Sequence, residues 1–125
     1  MNQDFTTKSV RAAAILTGSY VAGTVIDTGG IYNQVLLNVV YTKGSLTSAE
    51  IKIEFSSDNL TFYQETNPSV STGTTTETLA EHQISATGNY RIPVPILDRY
   101  IKISAKGTGT ATGSSMTIDL SLGRI

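Results

Sequence analysis

His82 is the single histidine of this chain, and any acid–base chemistry near neutral pH would start there. A Ser–His–Asp relay needs a base, a nucleophile and an orienting acid. Serine and aspartate are plentiful here, so their presence singles out nothing, and no Gly-x-Ser-x-Gly elbow occurs. His82 lies between Glu81 and Gln83 in a strand-like stretch and reads as a solvated or hydrogen-bonded surface side chain. Glu50 and Glu54 are four residues apart, which puts both carboxylates on one face of a strand. Paired carboxylates run glycoside hydrolysis. Nothing else marks this pair, and it reads as a solvated outer face.

One histidine and no cysteine cannot build an ordinary zinc site. Calcium needs only oxygens, and Asp58 with Asn59, Asp98 or Asp119 could supply them, but the spaced Asp-x-Asp-x-Asp pattern is missing. Asp58 and Asn59 read instead as turn formers. Gly107, Gly109 and Gly113 form a glycine-rich loop that leads into a strand, whereas a phosphate-binding loop leads into a helix. Asn59-Leu60-Thr61 matches the glycosylation sequon by chance, since the N-terminal residues carry no secretory signal pattern. Phe62 and Tyr63 are consecutive, so a strand there turns one to the core and the other outward. An outward Tyr63 beside the turn at Asp58 and Asn59 could stack on a sugar or a protein partner.

These residues must be held by strands. The chain has 125 residues, which suits one domain with a real core. Charged residues are 15% of the chain, against roughly 25% in an average soluble domain. Nineteen threonines and thirteen serines take their place, a composition that favours strands and turns. Scarce charge also fits a subunit packed among neighbours. The net charge of −1 and scattered Lys and Arg leave no footprint for nucleic acid. No apolar run approaches the ~20 residues that span a bilayer, so no membrane contact is expected, and no cofactor motif is present.

The clearest strand is Glu50 to Phe55, where Ile51, Ile53 and Phe55 alternate with Lys52 and Glu54. Ile101 and Ile103 alternate in the same way, as do Met116, Ile118, Leu120 and Leu122. The nearly continuous apolar run from Ile31 to Tyr41 predicts a buried central strand. Further strands are expected at 9–16, 20–26, 60–64, 79–85 and 90–94, with Pro93 and Pro95 confining the last to a sheet edge or a bulge. Residues 66–78 read as a long polar loop. Met1, Asn2, Gln3, Asp4 and Phe5 open an aperiodic stretch, residues 1–8, that reads as a flexible assembly arm before a single domain at 9–125. About eight short strands with regular turns predict an all-β fold, a two-sheet antiparallel β-sandwich of jelly-roll type.

The stretch from Val39 to Gln64 carries a strand, the turn Tyr41-Thr42-Lys43-Gly44 and the hairpin Ile51-Lys52-Ile53-Glu54-Phe55-Ser56-Ser57-Asp58-Asn59. It resembles small structural proteins of tailed bacteriophages, in which such a turn and hairpin recur. The stretch from Asp98 to Asp119 resembles their C-terminal hairpin. The resemblance implies a head decoration (cement) protein, head fibre or tail-associated subunit, with no catalytic residues. The turn at Ser56 to Phe62 is also similar to one in discoidin-type and carbohydrate-binding sandwiches, with Asn59 in place of a glycine and Phe62 in place of a tryptophan.

The sequence therefore leads to a non-enzymatic virion protein that decorates and stabilises a phage head, assembled in the host cytoplasm. Its expected partners are capsid proteins and its own copies, with a trimer favoured. The alternative is a glycan- or host-surface-binding module of a fibre or tail, using Tyr63, Phe62, Asp58 and Asn59.

Overall fold

The computed structural model describes residues 4–124, and every regular element in it is a strand. In chain order these are β1 (Asp4–Ala14), β2 (Val21–Ala22), β3 (Ile26–Asp27), β4 (Gln34–Thr42), β5 (Leu46–Ser56) and β6 (Tyr63–Gln64). Then come β7 (Thr66–Ser71), β8 (Thr74–Leu79), β9 (His82–Ile84), β10 (Gly88–Val94), β11 (Tyr100–Gly109) and β12 (Ser115–Arg124).

One sheet has the order β1-β12-β4-β10. The other runs β2-β11-β5-β6, with β3 beside β2 on the edge of β11 and β9 beside β6 on the edge of β5. Setting aside β7 and β8, which form a sheet of their own, and taking β2 with β3 and β6 with β9 as single interrupted strands leaves eight, four to each sheet, in the double Greek-key order of a jelly roll. The β-sandwich expected from the sequence is the observed fold, and the strand order is that of its jelly-roll form.

Alternation builds the core. Val35, Leu37, Val39 and Tyr41 of β4 and Met116, Ile118, Leu120 and Leu122 of β12 line one layer. Ile51, Ile53 and Phe55 of β5 and Ile101, Ile103 and Ala105 of β11 line the other. Each large side chain here is buried, and each contributes about 1.5–3 kcal/mol by leaving water. The run at 35–41 is a central strand as expected, but it is buried on one face only: Leu36 and Asn38 are half-exposed and Val40 is open.

The expected strand at 20–26 is split for a tertiary reason. Gly23 donates to the Ile103 carbonyl in one sheet, and Thr24 then donates to the Val10 carbonyl in the other, each at 2.9 Å. A Cβ on Gly23 would stand 2.4 Å from that Val10 oxygen, so only glycine lets the chain cross here. This crossing closes the flank where β1 lies over β2 and β3.

Residues 4–8 are a correction to the sequence reading. They are not a loose arm but the first half of β1, paired with β12 from Asp4 opposite Arg124 to Lys8 opposite Leu120. Met1, Asn2 and Gln3 lie outside the described residues. The flanking strand β12 supplies the pairing, which a polar segment cannot advertise in its own pattern. β10, which carries Pro93, is an edge strand as expected.

Residues 66–78 are a second correction. They form β7 and β8, a two-stranded hairpin that pairs with neither sheet. Thr72 and Gly73 make its turn with φ of 51° and 76°. Positive φ at both central positions gives the twist a two-residue hairpin needs.

Candidate functional site

The four residues singled out as a binding surface surround the turn after β5. Ser56 Oγ donates to Asp58 Oδ1 and accepts from the backbone N–H groups of Asp58 and Asn59. Asp58 Oδ1 in turn accepts from the N–H groups of Leu60 and Thr61, at 2.9 and 3.0 Å. Those backbone bonds, from Thr61 first, hold the Asp58 carboxyl below the usual aspartate range. Asn59 takes the left-handed conformation, φ 60°, that its short side chain tolerates. Both residues are engaged in building the turn.

Phe62 and Tyr63 are separated by the sheet. Tyr63 lies opposite Phe55 and shares its side, but at the rim, where it is 67% exposed. Phe62 is half-buried on the outer face, with Lys102 Nζ 4.2 Å from its ring centre. The expectation that one of the pair enters the core is corrected: neither belongs to it. Alternation set their opposite directions, but β6 lies beyond the reach of the facing sheet. Tyr63 thus presents its ring to solvent beside the turn, and Phe62 faces the other way.

The outer face of the second sheet carries a denser polar array. Glu50 points outward from β5 yet is buried. Its carboxylate accepts from Ser48 Oγ at 2.7 Å, from Gln83 Nε2 at 3.5 Å and from Thr108 Oγ1. Burial alone raises its pKa; the donated bonds and the nearby Lys106 charge outweigh that and leave it lowered. The Tyr20 ring covers this array between Lys52 and Lys106, whose Nζ atoms are each 4.8 Å from its centre. Its hydroxyl donates to Glu81. Burial and that carboxylate push the Tyr20 phenol up. Every charge in the array has a neighbour of opposite sign or a donor, so it is a strap holding the β2 segment down. The sequence placed Glu50 on a solvated face; the Tyr20 cover, from a distant segment, is what buries it.

The outer face of the first sheet carries a short polar ladder. Arg91 Nε donates to Asn38 Oδ1 and Asn38 Nδ2 to Ser121 Oγ, each at 2.8 Å, a ladder across β10, β4 and β12. Beside it lies an open depression of about 270 Å³, lined by Asn38, Val40, Asn89 and Arg91 among others.

The feature the sequence missed is the hairpin. Along β5, Glu54 pairs with Gln64 and Glu50 with Gln83. Four residues of β5 thus correspond to nineteen on the partner side, and fifteen residues are extruded from an edge strand that otherwise continues. Every residue of β7 and β8 is exposed on both faces, including Val70 at 70% and Leu79 at 65%. At the root, Ala80 N–H donates to the Glu65 carbonyl at 2.8 Å and Gln64 Nε2 to the Ala80 carbonyl at 3.0 Å. His82 Nε2 stands 3.5 Å from Glu65 Oε1 across the same root.

No family model and no curated protein matches this chain. Its fold is found elsewhere. A chain in a structure of infectious bursal disease virus, Gx strain, matches 99% of this chain with a TM-score of 0.50 and 11% identity. This chain spans 32% of the length of that viral chain. A chain from Bacillus endospore appendages, described as a novel family of disulfide-linked pili, matches over 99% of this chain and 90% of its own, with a TM-score of 0.44 and 11% identity. At these identities the likeness concerns the fold alone.

The hairpin departs from what a sandwich needs for itself. It adds twelve ordered residues to the protein with no buried side chain among them. An isolated two-stranded hairpin is marginally stable in water.

Proposed function

We propose that this chain is a structural subunit of a virus particle, a head decoration protein of the kind made by tailed phages, and not an enzyme. It holds neighbouring subunits through protein–protein contacts, self-associates as a small oligomer such as a trimer, and joins the particle in the host cytoplasm. The observation that carries this reading is the extruded β7–β8 hairpin, ordered and uncovered, with apolar Val70 and Leu79 in water. Such an element gains stability when a neighbour covers it. The sparse charge, the resemblance of two segments to phage structural proteins and a jelly roll also found in a virus all support it.

The glycan-binding alternative would rest on the exposed Tyr63 ring, with Asp58 spent on backbone and Phe62 facing the other way under Lys102. Cosedimentation with undecorated phage heads tests the proposal. Saturable occupancy at a fixed ratio to the major capsid subunit is expected. No binding to any phage particle, together with a signal on a glycan array, would reverse the two readings.

A further inference from the structure

The edges of the sheets are not equally available for a partner. In the first sheet, β10 carries Pro93, which has no N–H to donate. In the second sheet the edge strands are only two or three residues long. In the hairpin, Pro68 lies opposite Glu77. Counting outward from the two-residue turn, Pro68 is in a position whose N–H would point away from β8, so the outer edge of β7 lacks a donor. Two long edges without proline remain among the described residues. One is β8, Thr74–Leu79. The other is β1 before Val10, whose carbonyl is already taken by Thr24.

These two edges match. Each offers six residues, 74–79 and 4–9, and both are rich in threonine. Glu77 is the only charged residue of the hairpin; the open part of β1 carries Asp4 at its start and Lys8 near its end, and Lys8 also acts on Asp27 of its own chain. Leu79 and Phe5 are exposed apolar side chains at the two edges. The hairpin rises from the β6–β9 edge, and β1 lies on the other flank over β2 and β3. The hairpin root and the β1 edge therefore lie on opposite flanks of one molecule.

We propose that the β8 edge of one copy docks antiparallel on the free β1 edge of a second copy, extending its first sheet by strand addition with Glu77 opposite Lys8, so that residues 76–79 lie along 6–9. Strand addition satisfies backbone groups that an open edge leaves to water. The contact joins unlike surfaces, so it repeats head to tail, closing into a ring when the rotation permits and running on as a filament when it does not. This inference rests on the assembly reading above and names the contact that reading requires.

The chain has no cysteine, which makes crosslinking specific. Glu77→Cys and Lys8→Cys proteins, mixed and mildly oxidised, should form a disulfide-linked pair that neither variant forms in quantity alone. In sedimentation equilibrium, Glu77→Lys and Lys8→Glu should each weaken self-association about tenfold, since like charges then meet across the strands. The double charge swap should restore it. A variant with 67–78 replaced by a short turn should keep its circular dichroism and become monomeric, because the hairpin contributes nothing to the core. An oligomer that survives this deletion, with no crosslink in the mixture, would overturn the docking and leave the assembly reading standing. A wild-type protein that stays monomeric at every concentration would also overturn the docking, while head cosedimentation would still decide the broader function.

Discussion

Asp27 and Arg99 meet in a forked pair, with Nε 2.7 Å from Oδ1 and Nη2 2.9 Å from Oδ2. The Arg99 carbonyl also accepts from Thr28 N–H and Thr28 Oγ1, so the pair fixes the end of β3 to the start of β11. The guanidinium, with the Gly29 N–H, holds the Asp27 carboxyl down to about 2. A carboxylate whose folded pKa is depressed stabilises the protein fully above its unfolded value and loses that effect as pH falls through the folded one. Asp27→Asn should therefore melt below wild type at neutral pH. The gap should close between about pH 4 and about pH 2, as the wild-type carboxylate itself protonates. Melting midpoints across that range check it; a gap constant down to the lowest pH would contradict the pairing. Asp58, also depressed, adds to the acid limb with the same sign in both proteins.

Gly44 and Gly113 touch where the β4–β5 and β11–β12 turns cross. Gly44 has φ 56°, and a Cβ there would stand 2.4 Å from the Gly113 carbonyl carbon and 2.5 Å from the Thr112 oxygen. Gly44→Ala should cost about 3 kcal/mol or more, since it adds a backbone collision to left-handed strain. Gly29 also has positive φ, 65°, but open space around it. Gly29→Ala should cost about 1 kcal/mol, the conformational part alone. Urea midpoints with unchanged slopes would measure both. Equal losses would mean that the turns can move apart.

What was legible in the sequence follows the same logic of contact. Ile51, Ile53 and Phe55 alternate because one face of β5 is dry and the other is polar, and β11 and β12 announced themselves in the same way. Residues 66–79 have water on both faces, so no alternation can arise, and Thr72-Gly73 is a weaker turn signal than Asn-Gly. Gly23 breaks its strand for the sake of Val10, thirteen residues earlier, a demand no local pattern carries. At the site, the turn-forming role of Asp58 and Asn59 was readable from residue type. The fate of Phe62 and Tyr63 was not, because alternation gives directions and not whether a facing sheet reaches that far.

Glu50 offers a test of the array under Tyr20. Its two oxygens accept from Ser48, Thr108 and Gln83. Glu50→Gln replaces an acceptor with an amide that donates, and it should cost about 1–2 kcal/mol. Glu54, half-exposed and 3.6 Å from Lys52, is the control. Glu54→Gln should change stability by less than about 0.5 kcal/mol, as exposed pairs do. A Glu50→Gln protein as stable as wild type would mean that the hydroxyls turn to accept from the new amide, and that the strap depends on the Tyr20 ring rather than on charge.

Tyr41 gives a prediction of the opposite sign. Its ring fills the core at 1% exposure, while its hydroxyl is buried with no hydrogen-bond partner among the described residues. Burial first, then the Glu50 and Tyr90 oxygens, raise its pKa. A buried hydroxyl without a partner loses its bonds to water and gains none. Tyr41→Phe keeps the ring and removes that loss, so it should leave stability unchanged or raise it by up to about 1 kcal/mol. Chemical denaturation of the two proteins decides the sign. A loss of more than about 1 kcal/mol would mean that the hydroxyl is bonded in the folded protein, and the polar character of Tyr41 would then belong to the core's design rather than stand as an exception within it.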